Sequence, residues 1–180
     1  MLHDMKKLLL GIGLFCVFTN FAQHTIIIKS GKKFPATQPW EFVANSYVYD
    51  ANPKVQIAKT EAGGLLKISV KVSNEKLYVG ERIFINLKNN VVIYCLDKGM
   101  REFKDGVAST LFLLNAREMK QLQNHDIADV RFKIIGKRSD FDSQIGTFTA
   151  SNILTVFDAF SPDKKTIDTK SVIAELYKKK

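Results

Sequence analysis

The sequence predicts a mainly β (α+β) fold: an antiparallel β-sandwich-like domain with one capped helix at about residues 116–124 and a second helix at the C-terminus. Three observations support this fold. Several short segments alternate apolar and polar residues, which is the period of a half-buried strand. Turn residues recur roughly every 8–12 residues, as in sheet proteins built from hairpins. One segment, residues 109–135, reads as strand, capped helix and strand.

This central segment, residues 109–135, carries the clearest local signals. An apolar run ends at Asn115, and Glu118 follows three residues later. The pair matches a capping box, in which each side chain accepts a hydrogen bond from the backbone N–H of the other residue. Residues 128–134 then alternate apolar and polar side chains, so a second strand is expected there. The apolar stripe of the helix consists of Met119 and Leu122.

Shorter strands are predicted before the central segment. They cover residues 25–29, 40–49, 55–57, 66–72, 77–79, 82–88 and 91–96. Residues 61–64 and Asn89-Asn90 mark two tight turns, because their glycine and asparagine residues tolerate positive φ, and each turn joins its flanking strands as a hairpin. Residues 97–106 are polar with a glycine near each end, and are expected to leave the sheet as an excursion.

After the central segment, the sequence predicts a loop over residues 136–143, a strand over 145–150 and a terminal helix over 169–179. Residues 152–160 stay open between helix and strand. Their apolar residues match helical spacing, whereas their β-branched residues favour a strand.

Residues 91–96 are almost entirely apolar, which predicts a strand buried on both faces. Cys95 lies within it and is the one cysteine that would remain after removal of the N-terminal segment. A lone cysteine forms no internal disulfide. We therefore expect a packed, inert thiol rather than a reactive one.

The N-terminal residues 1–22 have the pattern of a secretory signal peptide. Lys6 and Lys7 precede an apolar run over residues 8–18, and cleavage is expected near Ala22-Gln23. The run is too short for a membrane-spanning helix, which needs about 20 apolar residues. The sequence thus predicts an exported protein, periplasmic or secreted, with a single β-rich domain over residues 23–180 and no transmembrane segment after cleavage.

The chain is basic, with a formal net charge of +9. Removal of residues 1–22 takes away two lysines and one aspartate, which leaves +8. This excess suits an anionic partner, such as an anionic envelope surface or an acidic glycan, but an ordinary solvated surface is the simpler interpretation. Nucleic acid is not expected as a partner, because an exported protein rarely meets it.

The sequence offers no catalytic, cofactor-binding or metal-binding constellation. His24 lies next to the expected new N-terminus, and His125 ends the predicted helix, where a cation is favoured by the helix dipole. There is no nucleophile elbow, cysteine pair or paired-histidine zinc motif. Residues 140–143 present oxygens suited to calcium, but they lack the glycine and distal glutamate of a calcium loop, and a polar turn is the simpler interpretation.

Five aromatic residues are candidates for stacking on sugar rings or lining a lipid pocket. The alternative is that they fill the core and its rim, because strands are enriched in aromatic residues generally. The five are Trp40, Tyr47, Tyr49, Tyr78 and Tyr94.

Short runs across the chain also bear on its origin. They are Trp40-Glu41-Phe42, Asn52-Pro53-Lys54-Val55-Gln56-Ile57, Gly63-Gly64, Ser73-Asn74-Glu75-Lys76, Gly146-Thr147-Phe148-Thr149-Ala150, and Phe21-Ala22-Gln23 at the end of the signal segment. Together they resemble small exported β-rich proteins of Flavobacterium-type bacteria. The resemblance implies export and a β-rich fold over most of the mature chain, and it implies no catalytic residues.

Three functions follow as expectations. The first is an exported, non-enzymatic module that binds a partner or ligand in the cell envelope or outside the cell. The second is a lipocalin-like carrier that encloses a small apolar ligand, although no Gly-x-Trp motif precedes the strands. The third is a hydrolase that uses carboxylates alone, for which the sequence singles out no pair.

Overall fold

A computed structural model of the protein describes residues 24–44, 52–136 and 144–178. These residues form eleven strands, two α-helices and one 3-10 helix. The strands are β1 (His24–Ile27), β2 (Lys33–Ala36), β3 (Trp40–Glu41), β4 (Val43–Ala44), β5 (Lys54–Lys59), β6 (Gly63–Lys71), β7 (Tyr78–Leu87), β8 (Val92–Lys104), β9 (Val107–Asn115), β10 (Ile127–Ile135) and β11 (Gly146–Ser151). The helices are α1 (Ala116–Asn124), the 3-10 helix (Val156–Ala159) and α2 (Thr169–Glu175).

All paired strands are antiparallel, and the sheet curls into two layers. The strand order is β1-β2-β5-β6-β9-β8-β7-β10-β11-β4, with β3 paired to β5. Strand β8 belongs to both layers: its first half pairs with β7 and its second half with β9. A bulge between Asp97 and Met100 separates the halves, as at the corners where strands pass between packed sheets.

A second connection between the layers is formed by residues 40–44. Trp40 in β3 pairs with Val55 of β5, whereas Ala44 in β4 pairs with Ala150 of β11. One short segment therefore contacts both distant parts of the curled sheet.

The predicted mainly β, antiparallel, sandwich-like fold with two helices is confirmed.

The core lies between the two layers and comes from the inward residues of alternating strands. In β10, Val130, Phe132 and Ile134 are buried as the period-two pattern predicts. The rings of Phe132 and Phe148 lie 6.0 Å apart. The other large side chains that are almost completely buried include Trp40, Phe42, Ile57, Leu66, Ile68, Leu77, Ile83, Ile85 and Phe112.

Helix α1 has the predicted capping box. The Glu118 backbone N–H donates to Asn115 Oδ1 at 2.9 Å, and the Asn115 backbone N–H donates to Glu118 Oε2 at 2.7 Å. Met119 and Leu122 point into the core, with 1% and 0% of their surface exposed. The cap begins the helix directly after β9, and the apolar stripe holds it over the core.

Helix α2 packs beside α1 and is fixed at its start by side-chain hydrogen bonds. Thr169 Oγ1 accepts from the Ile127 backbone N–H at 2.8 Å, and Ile173 is fully buried. Asn152 Nδ2 donates to the carbonyl oxygens of Ile127 and Ile167 at 2.8 and 2.9 Å. The predicted C-terminal helix is therefore present, although it ends at Glu175 rather than near residue 179.

The expectation that residues 91–96 are buried on both faces is wrong. Ile93 and Cys95 face the core, but Val92, Tyr94 and Leu96 are 53%, 62% and 48% exposed. Burial of the outer face needs a covering element, which a run of apolar residues cannot supply by itself.

Two further expectations need correction. Residues 97–106 do not leave the sheet, because β8 continues to Lys104 and turns into β9 at Asp105-Gly106, both with positive φ. Residues 152–160 form neither an α-helix nor a strand, because β11 ends at Ser151. They contain only the short 3-10 helix, whose start is capped by Thr155 and Asp158. Strand β2 has no counterpart among the predicted strands.

Two other predicted features, the signal segment and residues 137–143 of the loop, lie outside the described residues.

Candidate functional site

The described structure has a cleft of about 860 Å³ on the outer face of the layer that contains β7, β8, β10 and β11. Its volume lies within the range of small-ligand sites. The cleft is lined by Glu81, Arg82, Phe84, Leu96, Asp97, Lys98, Arg101, Arg131, Phe132, Lys133, Ile135 and Thr147.

The cleft is strongly basic, since five of its lining side chains are basic and two are acidic. Lys133 Nζ lies 2.7 Å from Glu81 Oε1, and Arg101 pairs with Asp97. The other three basic side chains form no ion pair with any described residue; they are Arg82, Lys98 and Arg131. A surface with unneutralised cations attracts anions, most strongly at low ionic strength.

Aromatic rings support the guanidinium groups of this cleft. The Arg101 guanidinium lies 3.8 Å from the centre of the Tyr78 ring. The Arg82 guanidinium lies 6.0 Å from the Phe84 ring and 5.9 Å from the Tyr94 ring. Such cation–π contacts hold a cation in place without neutralising its charge.

Strand register explains why these side chains meet. Phe84 in β7 lies opposite Tyr94 in β8 on one side and opposite Arg131 in β10 on the other. Side chains at paired positions share a face of the sheet. The result is a cross-strand row of two aromatic residues and one arginine on the outer face, beside Arg82.

Two irregularities shape the ends of the cleft. Glu81 has a φ of 61°, and the pairing of β7 with β10 shifts register near it. In β8, the bulge after Asp97 is closed by a 2.7 Å hydrogen bond from the Gly99 backbone N–H to Asp97 Oδ1. Bulges redirect side chains locally, which here places the Glu81 and Asp97 carboxylates at the cleft.

The five predicted aromatic candidates divide into three groups. Tyr78 and Tyr94 do not line the cleft themselves, but their rings contact Arg101 and Arg82, which do. Trp40 is 2% exposed and stacks on Phe42 at 6.4 Å, so this residue belongs to the core. The other two, Tyr47 and Tyr49, lie outside the described residues.

The sequence did not single out the cationic residues of the cleft. Arg131 and Lys133 were expected on the polar face of β10, which is where they lie. Their relation to Arg82 and Arg101 depends on the order of the strands in the sheet. The signal present in the sequence was the alternation of Arg131 and Lys133 with core residues along β10.

In the part of the chain that the structure describes, the titratable groups outside the cleft do not converge on a reacting centre. His125 is the C-cap of α1, and His24 is exposed at the start of β1. Burial raises the pKa of the Cys95 thiol from 9.0 to about 12, and the nearby Glu118 carboxylate adds to this shift. Among the described residues, no three His, Cys, Asp or Glu side chains are grouped in a way that would hold a metal ion.

Within the described part of the chain, no helix has the length and apolar character needed to cross a membrane. Comparisons with protein-family models, with curated proteins and with solved structures find no match.

Proposed function

We propose that the protein is an exported, non-enzymatic module that binds an acidic glycan in the cell envelope or outside the cell. The observation that carries this proposal is the basic cleft, where arginines lie over aromatic rings on an exposed sheet face. Export rests on the signal-like residues 1–22.

The chemistry of the cleft fits sugars that carry carboxylates. A guanidinium binds a carboxylate through two parallel hydrogen bonds, and Arg82 and Arg131 have no competing carboxylate among the described residues. The apolar face of a sugar ring packs against exposed aromatic and aliphatic side chains, such as Leu96 in the cleft and Tyr94 beside Arg82. An extended polymer would contact several strands at once, and the cleft spans four.

The two alternative functions receive less support. A carrier needs room inside the curled sheet, but the described core is filled by large side chains, including Trp40, Phe112 and Phe132. A carboxylate hydrolase needs two opposed acids with different pKa values. The two acids of the cleft, Glu81 and Asp97, are each engaged by a neighbouring cation.

Titration of the purified protein with polygalacturonate, with dextran as the neutral polymer, tests the proposal. We expect binding of polygalacturonate alone, weakened as salt screens the charges. The double variant Arg82→Gln/Arg131→Gln should bind at least about tenfold more weakly, because charged hydrogen bonds are lost.

The matched control removes two exposed cations outside the cleft, Lys104→Gln/Lys120→Gln. It lowers the net charge equally, so it separates a specific site from a general charge effect. Equal loss of affinity in the two double variants, or equal binding of dextran, would refute the proposal.

A further inference from the structure

A second cavity, of about 490 Å³, lies beneath strand β1 on the outer face of the other layer. One wall is β1 with the turn that follows it, and the floor is formed by side chains of β6 and β9. The bulged part of β8 closes the far side. The lining residues that bear on a ligand are Ile26, Ile28, Lys29, Lys67, Met100 and Leu111.

The walls of this cavity are largely apolar. Ile26 is 3% exposed and belongs to a small apolar cluster outside the main core, against which Ile28, Met100 and Leu111 pack. Flexible and branched aliphatic side chains of this kind suit an alkyl chain, and Met100 adapts its shape readily. The volume is sufficient for one such chain and lies in the usual range of ligand pockets.

Cationic side chains border the same cavity. Lys29, Lys67 and Arg101 line it together with one acid, Glu102. Arg101 pairs with Asp97, but Lys29 and Lys67 form no ion pair with any described residue. Lys67 is half-buried in the floor, between the paired strands β5 and β9.

We propose that this cavity binds a single-chain amphiphilic carboxylate, with the alkyl chain against Ile26, Met100 and Leu111 and the carboxylate at Lys67. A small inorganic anion would leave the apolar walls in contact with water, which is unfavourable. A neutral lipid would leave the two lysines without a partner. Only a ligand with both parts matches the apolar walls and the cationic border.

This site is separate from the basic cleft. The cleft lies on the layer of β7, β10 and β11, whereas the cavity lies over β6 and β9 beneath β1. The two share Arg101, which stands in the β8 wall between them. The test therefore leaves Arg101 unchanged and alters residues that line one site alone.

The experiment uses dodecanoate below its micellar concentration, with dodecanol as the neutral probe of the same chain length. Binding is followed by NMR of the methionine methyl groups, labelled with ¹³C. Met100 lines the cavity, whereas Met119 is 1% exposed in the core under α1, so it serves as the internal control. We expect dodecanoate to shift the Met100 methyl signal in a saturable way and to leave Met119 unchanged.

Two variants test the charged contact and the apolar cavity separately. Lys67→Gln should weaken dodecanoate binding roughly tenfold and leave dodecanol binding nearly unchanged, because the charged contact is lost. Leu111→Trp should fill the cavity and abolish the Met100 shift, and an unchanged Met119 signal reports that the variant is folded. If Leu111→Trp does not fold, Lys67→Gln decides the test.

Shifts at both methionines, binding only above the micellar concentration, or equal affinity of Lys67→Gln and wild type for dodecanoate would overturn the proposal. The outcome is independent of the glycan site. Arg82→Gln/Arg131→Gln should keep dodecanoate binding, and Lys67→Gln should keep polygalacturonate binding.

Discussion

Asp97 and Arg101 form an ion pair across the bulge of strand β8, at the point where this strand passes from one layer of the sheet to the other. The Asp97 side chain is 6% exposed, and its other oxygen accepts a hydrogen bond from the Gly99 backbone N–H at 2.7 Å. The Arg101 guanidinium also lies 3.8 Å from the centre of the Tyr78 ring. This pair fixes the wall that separates the basic cleft from the cavity under β1.

Replacement of Asp97 by alanine should destabilise the protein by about 1–3 kcal/mol, because it removes charged hydrogen bonds at a mostly buried position. Urea unfolding followed by circular dichroism measures the change in the free energy of unfolding. The control is Glu61→Ala, whose side chain is 89% exposed and pairs with Lys32 at 3.3 Å. Exposed ion pairs contribute little to stability, so the free energy of unfolding of this variant should differ from that of wild type by less than about 0.5 kcal/mol. Equal effects of the two changes would contradict a structural role for Asp97.

The cap of helix α1 gives a second prediction. Asn115→Ala removes the acceptor for the Glu118 backbone N–H, and should cost about 1 kcal/mol of stability. The matched control is Asn124→Ala, at the exposed last residue of the same helix, which should leave stability nearly unchanged. Thermal unfolding of the three proteins tests this. A larger loss in Asn124→Ala would show that the end of the helix matters more than its start.

Local signals were sufficient to predict a large part of the fold. The capping box at Asn115 and Glu118 placed α1 within its observed bounds. The turn signals at residues 61–64 and 89–90 lie at two observed hairpins, although the first turn is residues 60–62 because β6 begins at Gly63. In each case the residues that determine the structure lie within a few positions of one another, so no knowledge of the sheet was required.

Non-local pairing explains the features that were missed. The polar residues after Asp97 continue as a strand because β9 pairs with them, and Tyr94 stays exposed because none of the described elements covers that face. The cleft likewise depends on β10 lying beside β7, although these strands are far apart in the chain. Arg131 and Lys133 were expected at a polar face, but their meeting with Arg82 requires the strand order.

Two phenylalanines in contrasting positions give a third prediction. Phe132 is 1% exposed and packs on Phe148, so Phe132→Ala should cost about 3–5 kcal/mol. Phe157 is 85% exposed on the 3-10 helix, and Phe157→Ala should change stability by less than about 0.5 kcal/mol. Both changes remove the same group, so the difference in urea midpoint reports burial alone. A similar midpoint for the two variants would place Phe132 outside the core.

The buried thiol of Cys95 gives the last prediction, which concerns pH. Burial raises the pKa of Cys95 from 9.0 to about 12, so the folded protein keeps this proton where the unfolded chain loses it. The stabilisation is complete below pH 9 and is lost as pH rises from 9 towards 12, by at most about 1.4 kcal/mol per pH unit for one proton. Urea unfolding at a series of alkaline pH values measures this slope.

Other groups also titrate above pH 9, including Tyr177, whose pKa burial likewise raises. The comparison is therefore with Cys95→Val, which keeps an apolar side chain of similar size but has no proton to lose. Its free energy of unfolding should fall less steeply with pH than that of wild type, and the difference between the two slopes is the contribution of the thiol. Parallel slopes would mean that the thiolate forms as easily in the folded protein as in the unfolded chain. In that case iodoacetamide would also alkylate Cys95 of the folded protein rapidly at pH 9.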